Sequence, residues 1–305
     1  MTQLTLFTPS GVVAAARPLR LAARRLGELG YSVALDEAAL ARHQRFGGDD
    51  EIRLAAIHRV ARAAPDIAMA TRGGYGLTRL LDRIDWKLVA RSVEGGTRWV
   101  GHSDLTVLQL GLLAHAKGVT WAGPMACYDF GRLAEEHGEK AAPAVDEVTR
   151  DCFAEAMSGE LEAVGFRTEA GFDGLDVKGV LWGGNLCMVN SLLGTPHLPR
   201  IKGGVLFLED VNEHPYRVER SLLQLHQAGV LDAQKAILLG AFSDWKKSPL
   251  DRGYGLKTVI ETLRRVTRTP ILTGLPFGHV PTKVTLPVGA RVQLVVQARD
   301  VLMGW

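Results

Sequence analysis

A chain of 305 residues, 47% hydrophobic with 34 glycines and 13 prolines, holds enough material for one large domain or two ordinary ones with real cores. Its formal charge of +3 is small for this length, and no dense lysine or arginine run occurs, which argues against nucleic acid or a membrane surface as a partner. The 3 cysteines, Cys127, Cys152 and Cys187, are widely spaced and form no Cys-x-x-Cys, so neither a disulfide framework nor a zinc site is signalled and a reducing, cytoplasmic compartment is expected.

In chain order, the N-terminus lacks the basic start of a secretory signal, and no later apolar run approaches the ~18 residues of a membrane span. "LTLFT" reads as a strand. The arginine-rich stretch "AAARPLRLAARRLGELG" has the composition of a transit peptide, but because a strand precedes it, it reads as an amphipathic first helix ending at Gly30. "YSVAL" follows, then a helix over Asp50–Ala63, with Asp49 or Asp50 as N-cap and Ile52, Ala56 and Val60 facing inward. "DIAMAT", a helix around "LTRLLDRI", "TRWVG" and a helix over Leu105–Lys117 with Leu105, Leu108 and Leu112 inward complete a βαβα alternation. That alternation predicts a mainly parallel sheet covered by helices.

From Ala126 to about residue 170 the chain turns charged and alanine-rich, helical in places and poor in strand signals. Beyond it come "VKGVLWGG", "GGVLFLED", "AILLGAF", "PILTGL" and "RVQLVVQ", whose Val292, Leu294 and Val296 share one strand face. The expected organisation is an α/β domain over residues 1–125, a connecting segment over 126–170 and a β-rich domain over 171–305. No internal repeat is visible.

Open parallel sheets bind ligands at the C-terminal ends of their strands, and three such loops carry candidate chemistry. In "ATRGGYG" the adjacent glycines let the backbone turn sharply and aim amides at an anion. The motif is neither a Walker loop nor a dinucleotide fingerprint, and an ordinary glycine-rich turn is the competing reading. Its Arg72 either holds a substrate carboxylate or is simply solvated. In "GHSDL" Ser103 falls at a strand-to-helix turn, where a nucleophile belongs, although Ser103 or Asp104 as a plain N-cap fits equally well. His102 adjoins Ser103, but neighbouring side chains on an extended segment point to opposite sides, so the base must come from elsewhere.

Glu209 ends the strand "VLFLED", where a buried carboxylate needs a partner: a histidine to orient, or a structural ion pair. Asp210 and Glu213 read as solvated or capping residues, and Pro215 begins a helix with Val218, Leu222 and Leu225 inward. The base candidate is His279 in "GLPFGHVPTKVTLPVG", whose prolines and glycines fix the backbone on both sides. His115, His137 and His226 in helical stretches, and His197 and His214 beside prolines, read as surface residues.

Taken together and in order, "RGGYG", "RLLDRIDW", "GHSDLT", "WGGNL", "LFLED" with "PYRVERSLLQLHQAG", and "PFGHVPTKVTLPVG" resemble the LD-carboxypeptidase family of bacterial serine peptidases, the muramoyltetrapeptide carboxypeptidases. The resemblance implies a flavodoxin-like N-terminal domain, a β-rich C-terminal domain and a site in the groove between them, commonly in a homodimer. It also implies Ser103 as nucleophile, His279 as general base, Glu209 as the residue orienting the imidazole, and no metal or organic cofactor. The reaction implied is hydrolysis of the amide before the terminal D-alanine of murein tetrapeptides through an acyl-enzyme. Backbone N–H groups of Asp104 and Gly74 are the expected oxyanion donors. Asn185 in "WGGNL" either shapes the groove or caps a helix. The family usually places tyrosine or phenylalanine before the nucleophile, where this chain has His102. Two other readings are a microcin C immunity-like hydrolase of peptidyl-nucleotide amides and a non-catalytic muropeptide binder.

Overall fold

The computed structural model describes residues 1–133 and 145–305. Its first part runs β1 (Gln3–Phe7), α1 (Ala16–Glu28), β2 (Ser32–Leu35), α2 (Asp50–Ala63), β3 (Ile67–Ala70), α3 (Trp86–Glu94), β4 (Arg98–Gly101), α4 (Thr106–Ala116) and β5 (Thr120–Ala122). These five strands are parallel in the order β2-β1-β3-β4-β5, the flavodoxin-like order. All four residues of β3 are buried, as a strand covered by helices on both faces requires. In this order the chain reverses direction between β1 and β3, so the crevice outside their C-terminal ends is where a ligand fits.

The second part comprises α5 (Glu147–Ser158), β6 (Ala163–Arg167), β7 (Asp176–Asn185), α6 (Leu186–Ser191), β8 (Val205–Val211), α7 (Pro215–Gln227), β9 (Ala236–Ser243), α8 (Leu256–Val266), β10 (Ile271–Thr273), β11 (Leu286–Val288), β12 (Arg291–Gln297) and β13 (Asp300–Gly304). Its sheet has the order β10-β9-β8-β7-β12-β13-β6. The four strands from β10 to β7 are parallel and the remaining pairings antiparallel. Strand β11 leaves this part and pairs antiparallel with β5, extending the first sheet. The fold is α/β with two sheets, as the alternation of strand and helix signals indicates.

Local sequence explains most boundaries. Asp49 caps α2 by accepting from Ile52 N at 2.8 Å, Asp85 caps α3 from Leu88 N at 3.0 Å, and Pro215 opens α7 where its missing N–H costs nothing. Helix α1 stops at Glu28, just before Gly30, and buries Leu19, Ala22 and Leu26. Leu105, Leu108 and Leu112 are buried, as are Val292, Leu294 and Val296.

Three local expectations are corrected. "LTRLLDRI" forms two short 3-10 turns, Leu77–Arg79 and Leu81–Arg83, because Ile84 must be extended for Asp85 to cap α3. The helix expected from Leu105 begins at Thr106 after a 3-10 turn over Ser103–Leu105. Ile52 is an exposed residue of α2, lying against the Gly48 backbone of the preceding loop; the inward face is instead Leu54, Ala56, Ile57, Val60 and Ala61.

Between residues 126 and 170 the described residues form a π-helical turn (Ala126–Phe130), α5 and β6, the last an edge strand paired with β13. Helix α5 is docked through Phe153, fully buried, which meets Phe130 edge-on at 5.4 Å and Tyr31 at 5.8 Å between ring centroids. Truncating a buried aromatic of this kind costs ~3–5 kcal/mol through lost transfer energy and a residual cavity. Phe153→Ala is expected to lower the stability read from urea unfolding by about that amount, whereas a loosely attached connector would lose less than ~1 kcal/mol.

Candidate active site

The crevice at the ends of β1, β3 and β4 is a cleft of about 560 Å³. Val13, Ala14 and Ala15 from the loop after β1 line it, with Arg72, Gly73 and Gly74 from the loop after β3 and Ser103 from the turn after β4. Tyr128 of the π-helical turn, Asn212 beyond β8, and His279 face the same space. Ser103 and His279, 176 positions apart in sequence (279 minus 103), therefore share one cleft.

Ser103 has φ +62°, a left-handed conformation that costs a non-glycine residue ~1–3 kcal/mol and persists only where the surroundings impose it. The 3-10 turn and α4 follow directly, so Ser103 stands at a helix N-terminus, where free amides and the helix dipole favour developing negative charge. Gly73 crosses directly over it. A Cβ built there would lie 2.6 Å from Ser103 Oγ, so only glycine permits this approach. Asp104 N lies on the same side, 3.4 Å from that position, and Gly74 (φ +89°) lines the cleft next to it.

The Asp104 side chain turns away from the cleft. It is buried, and its Oδ2 accepts from Leu77 N at 2.8 Å, bracing the far end of the glycine-rich loop against the serine turn. Arg53, also fully buried, donates from Nη1 to the carbonyls of Pro9 at 3.1 Å and Gly76 at 2.8 Å, tying the loops after β1 and β3 together. No sequence signal marks Arg53, which lies one position from Ile52 and off the Ile52, Ala56 and Val60 row expected to face inward.

Glu209 is fully buried at the end of β8, where the pairing with β9 slips between Leu208 and Asp210 and re-aims the side chain. Its Oε2 lies 2.8 Å from His279 Nδ1, and its Oε1 accepts from Asn185 Nδ2 at 3.2 Å. Gly278 (φ +137°) brings the histidine loop over this carboxylate; a Cβ there would come within 3.2 Å of Oε2. Asn185 caps α6 through Met188 N and also donates to Asp210 Oδ1 at 2.9 Å. The capping reading of Asn185 holds, with the orientation of Glu209 added to it. Asp210 is not solvated: it is buried, accepts from Cys187 N at 2.9 Å and Val211 N at 2.8 Å, and is pushed up to about 6 by burial. Glu213 pairs with Arg217 one helical turn on.

The His279 loop is held from behind by α5 and the π-helical turn. Thr149 Oγ1 donates to the Pro281 carbonyl at 2.7 Å and accepts from Lys283 N at 2.8 Å, and Thr282 Oγ1 donates to Asp146 at 2.7 Å. Lys283, fully buried, pairs with buried Asp129 and lies over the Tyr128 ring at 5.2 Å. His102 packs edge-on against His279 with ring centroids 4.9 Å apart, and its Nδ1 donates to the Gly123 carbonyl at 2.8 Å. Burial, with His279 and Lys283 adding to it, holds His102 well below the usual histidine range, so it is a neutral, wall-forming ring outside the cleft lining.

Among the other histidines, His197 is buried, not a surface residue: it bonds His115 at 3.0 Å and Asp82 at 3.0 Å beneath Trp86. The apolar packing around Trp86 excludes water from it. His115 is exposed, and His214 caps α7 and bonds Asp251. His137 lies outside the described residues. The three cysteines are free, and Cys127 at the cleft wall is pushed up to about 11 by burial, which keeps it a thiol. Among the described residues no His, Cys, Asp and Glu cluster can hold a metal ion, and no helix is long and apolar enough to cross a membrane.

A two-sheet α/β fold with a serine on a strained strand-to-helix turn facing a carboxylate-bound imidazole is that of a serine hydrolase. The chain belongs to the LD-carboxypeptidase family: models of its N-terminal and C-terminal domains match residues 4–123 and 178–294. It is 31% identical to a probable murein peptide carboxypeptidase of Bacillus subtilis over 93% of this chain and 88% of that protein. It is also 31% identical to the murein tetrapeptide carboxypeptidase of Pseudomonas aeruginosa, over 94% of this chain and 91% of that one. The crystal structure of muramoyltetrapeptide carboxypeptidase from Oxalobacter formigenes superposes with a TM-score of 0.87 at 40% identity, covering 99% of this chain and 98% of the other. MccF in complex with glutamyl sulfamoyl guanosine shares the fold, with a TM-score of 0.84 at 20% identity over 100% of this chain and 96% of that one. The protein is therefore a hydrolase of the serine-peptidase class.

Burial raises the Asp104 carboxyl from 3.8 to about 6. Between those values the folded chain binds more protons than the unfolded one, so the contribution of Asp104 to stability falls as pH rises through this window. Asp104→Asn keeps an acceptor for Leu77 N and removes the titration. Its stability relative to the unsubstituted protein is expected to improve by up to about 3 kcal/mol between about pH 4 and about pH 7, measured by urea unfolding at each pH.

Proposed function

We propose that this protein hydrolyses the amide between the L-centre of meso-diaminopimelate and the terminal D-alanine of murein tetrapeptides, as a cytoplasmic homodimer in cell-wall recycling. The observation that carries the reading is the 2.8 Å contact between His279 Nδ1 and a fully buried Glu209, with Ser103 on the opposite wall of the same cleft. Residues 1–125 would supply the nucleophile, residues 171–305 the base and its acid, and residues 126–170 the connection between them.

In the proposed cycle Ser103 Oγ attacks the scissile carbonyl while His279 Nε2 takes the hydroxyl proton. Glu209 accepts from Nδ1–H, fixing the tautomer and stabilising the imidazolium. The tetrahedral oxyanion is met by the N–H groups of Asp104 and Gly74 at the start of the nucleophile turn and in the glycine-rich loop. His279 returns the proton to the departing amine, D-alanine leaves, and the acyl-Ser103 ester is hydrolysed by water activated by the same imidazole. The small apolar wall of Val13, Ala14 and Ala15 suits an alanine side chain.

A second reading, a peptidyl-nucleotide amidase working through the same triad, draws on one observation. His214, Tyr216 and Trp245 form an aromatic group just beyond the cleft residue Asn212, with rings 4.6 Å and 5.5 Å from that of His214, and Tyr216 is exposed, which suits stacking on a nucleobase.

The test is D-alanine release from purified tetrapeptide, followed by mass spectrometry. Ser103→Ala is expected to lower kcat by at least ~10⁴-fold and Glu209→Gln by ~10²–10⁴-fold, with unchanged melting behaviour. Equal release by the Ser103→Ala protein removes Ser103 from the mechanism. Turnover of a peptidyl-nucleotide in place of the tetrapeptide selects the second reading.

A further inference from the structure

The loop that covers Ser103 also presents a cation that the proposed cycle leaves unused. Arg72 lines the cleft immediately before Gly73, the residue in contact with the serine side chain. Its Nη1 donates to the Val12 carbonyl at 3.0 Å, which holds the guanidinium across the mouth between the loops after β1 and β3. Backbone packs against the group on both sides: a Cβ at Gly11 would lie 3.5 Å from Nε, and one at Gly74 would lie 3.6 Å from Nη2. Among the described residues no carboxylate pairs with Arg72, and no Asp or Glu lines the cleft. Of the arginines nearest these loops, Arg53 and Arg79 are committed to Asp50, and Arg42 donates to the carbonyls of Val13 and Ala14. Arg72 is thus a half-buried, fixed fork with donors left over, beside the Val13, Ala14 and Ala15 wall of the cleft.

We infer that Arg72 is the anchor for the free α-carboxylate of the residue being released, and so the group that restricts cleavage to the last bond of the chain. The inference rests on the proposed peptidase reading. Covalent geometry supports it: the carboxylate carbon of a terminal residue is three bonds from the scissile carbonyl carbon, within ~4 Å. Its anchor must therefore stand beside the nucleophile, as a side chain neighbouring Gly73 does. A guanidinium fork matches two carboxylate oxygens at once and discriminates against an uncharged amide, which leaves its donors desolvated and unpaired. An internal peptide bond presents such an amide at this position. A D-alanine terminus presents the anion.

The experiment compares two peptides that differ only at the end, a tetrapeptide with terminal D-alanine and the same peptide with terminal D-alaninamide. Labelling of Ser103 by a fluorophosphonate serves as a check on the nucleophile in each protein. For the unsubstituted protein, kcat/KM is expected to favour the carboxylate by about 100-fold or more. In R72Q that ratio is expected to collapse to within about tenfold, mainly through loss on the carboxylate peptide. A ratio that survives in R72Q, with both peptides slowed equally, overturns the assignment and leaves Arg72 a support for the Val12 loop. The unsubstituted protein gives a second measurement, needed if R72Q does not fold: free D-alanine should inhibit competitively at least about tenfold better than D-alaninamide, and equal inhibition overturns the anchor. A protein that is labelled at Ser103 yet cleaves neither peptide overturns the tetrapeptide reading itself, and the anchor with it; that outcome is distinct from a preserved ratio.

Discussion

A carboxylate with no exposed surface is the constraint around which the second half of this molecule is arranged. Glu209 lies near the end of a strand whose preceding residues are all buried, and an ionised group there is tolerable only when its oxygens are occupied by donors. One oxygen meets His279 and the other Asn185. Each donor brings further structure with it: Asn185 caps α6 and donates to the adjacent Asp210, while His279 follows the positive φ at Gly278. The slip in the β8–β9 pairing belongs to the same solution, since it is at this position that the strand must present a polar side chain.

The histidine is held from behind as firmly as from the front. Thr149, Asp146 and Asp129 come from the stretch between the two sheets, and together they bind Pro281, Thr282 and Lys283 on the far side of the loop. A buried ion pair contributes little net stability against an apolar alternative, but removing one partner leaves a charge stranded in the interior, so the pair enforces register. His102 fits this picture. It is a neutral ring whose Nδ1–H is taken by the Gly123 carbonyl, filling the space behind His279.

Much of the architecture was legible because it rests on local physics. Period-2 and period-3.6 hydrophobicity located β1 to β4, β7 to β10 and β12 and the helices α1, α2, α4 and α7, Asp49 marked an N-cap, and the turns after β3 and β4 marked loops that line the cleft. Ser103, Glu209 and His279 were named by a resemblance carried on motifs, together with the strand-end positions of Ser103 and Glu209 and the proline-bounded loop around His279. What escaped was long-range or conditional. Arg53 carries no pattern of its own, since a charge within a helix normally faces water and its buried partners are backbone carbonyls of two other loops. Strand β6 escaped because an edge strand half exposed to solvent needs little hydrophobicity, and its identity comes from β13, more than 130 residues later. The burial of Asp210 and His197 likewise depends on partners distant in sequence.

The return of β11 to the first sheet sets an order of events during synthesis. Until residues 286–288 have left the ribosome, β5 is an open sheet edge, with its backbone amides and carbonyls free to pair with a strand of another chain. The loop bearing His279 lies just ahead of that strand, so the edge closes and the imidazole arrives within a few residues of one another. A nascent chain therefore carries the serine turn without the imidazole that shares its cleft while residues 104–278 are added. Completion of the cleft and protection of the edge come together.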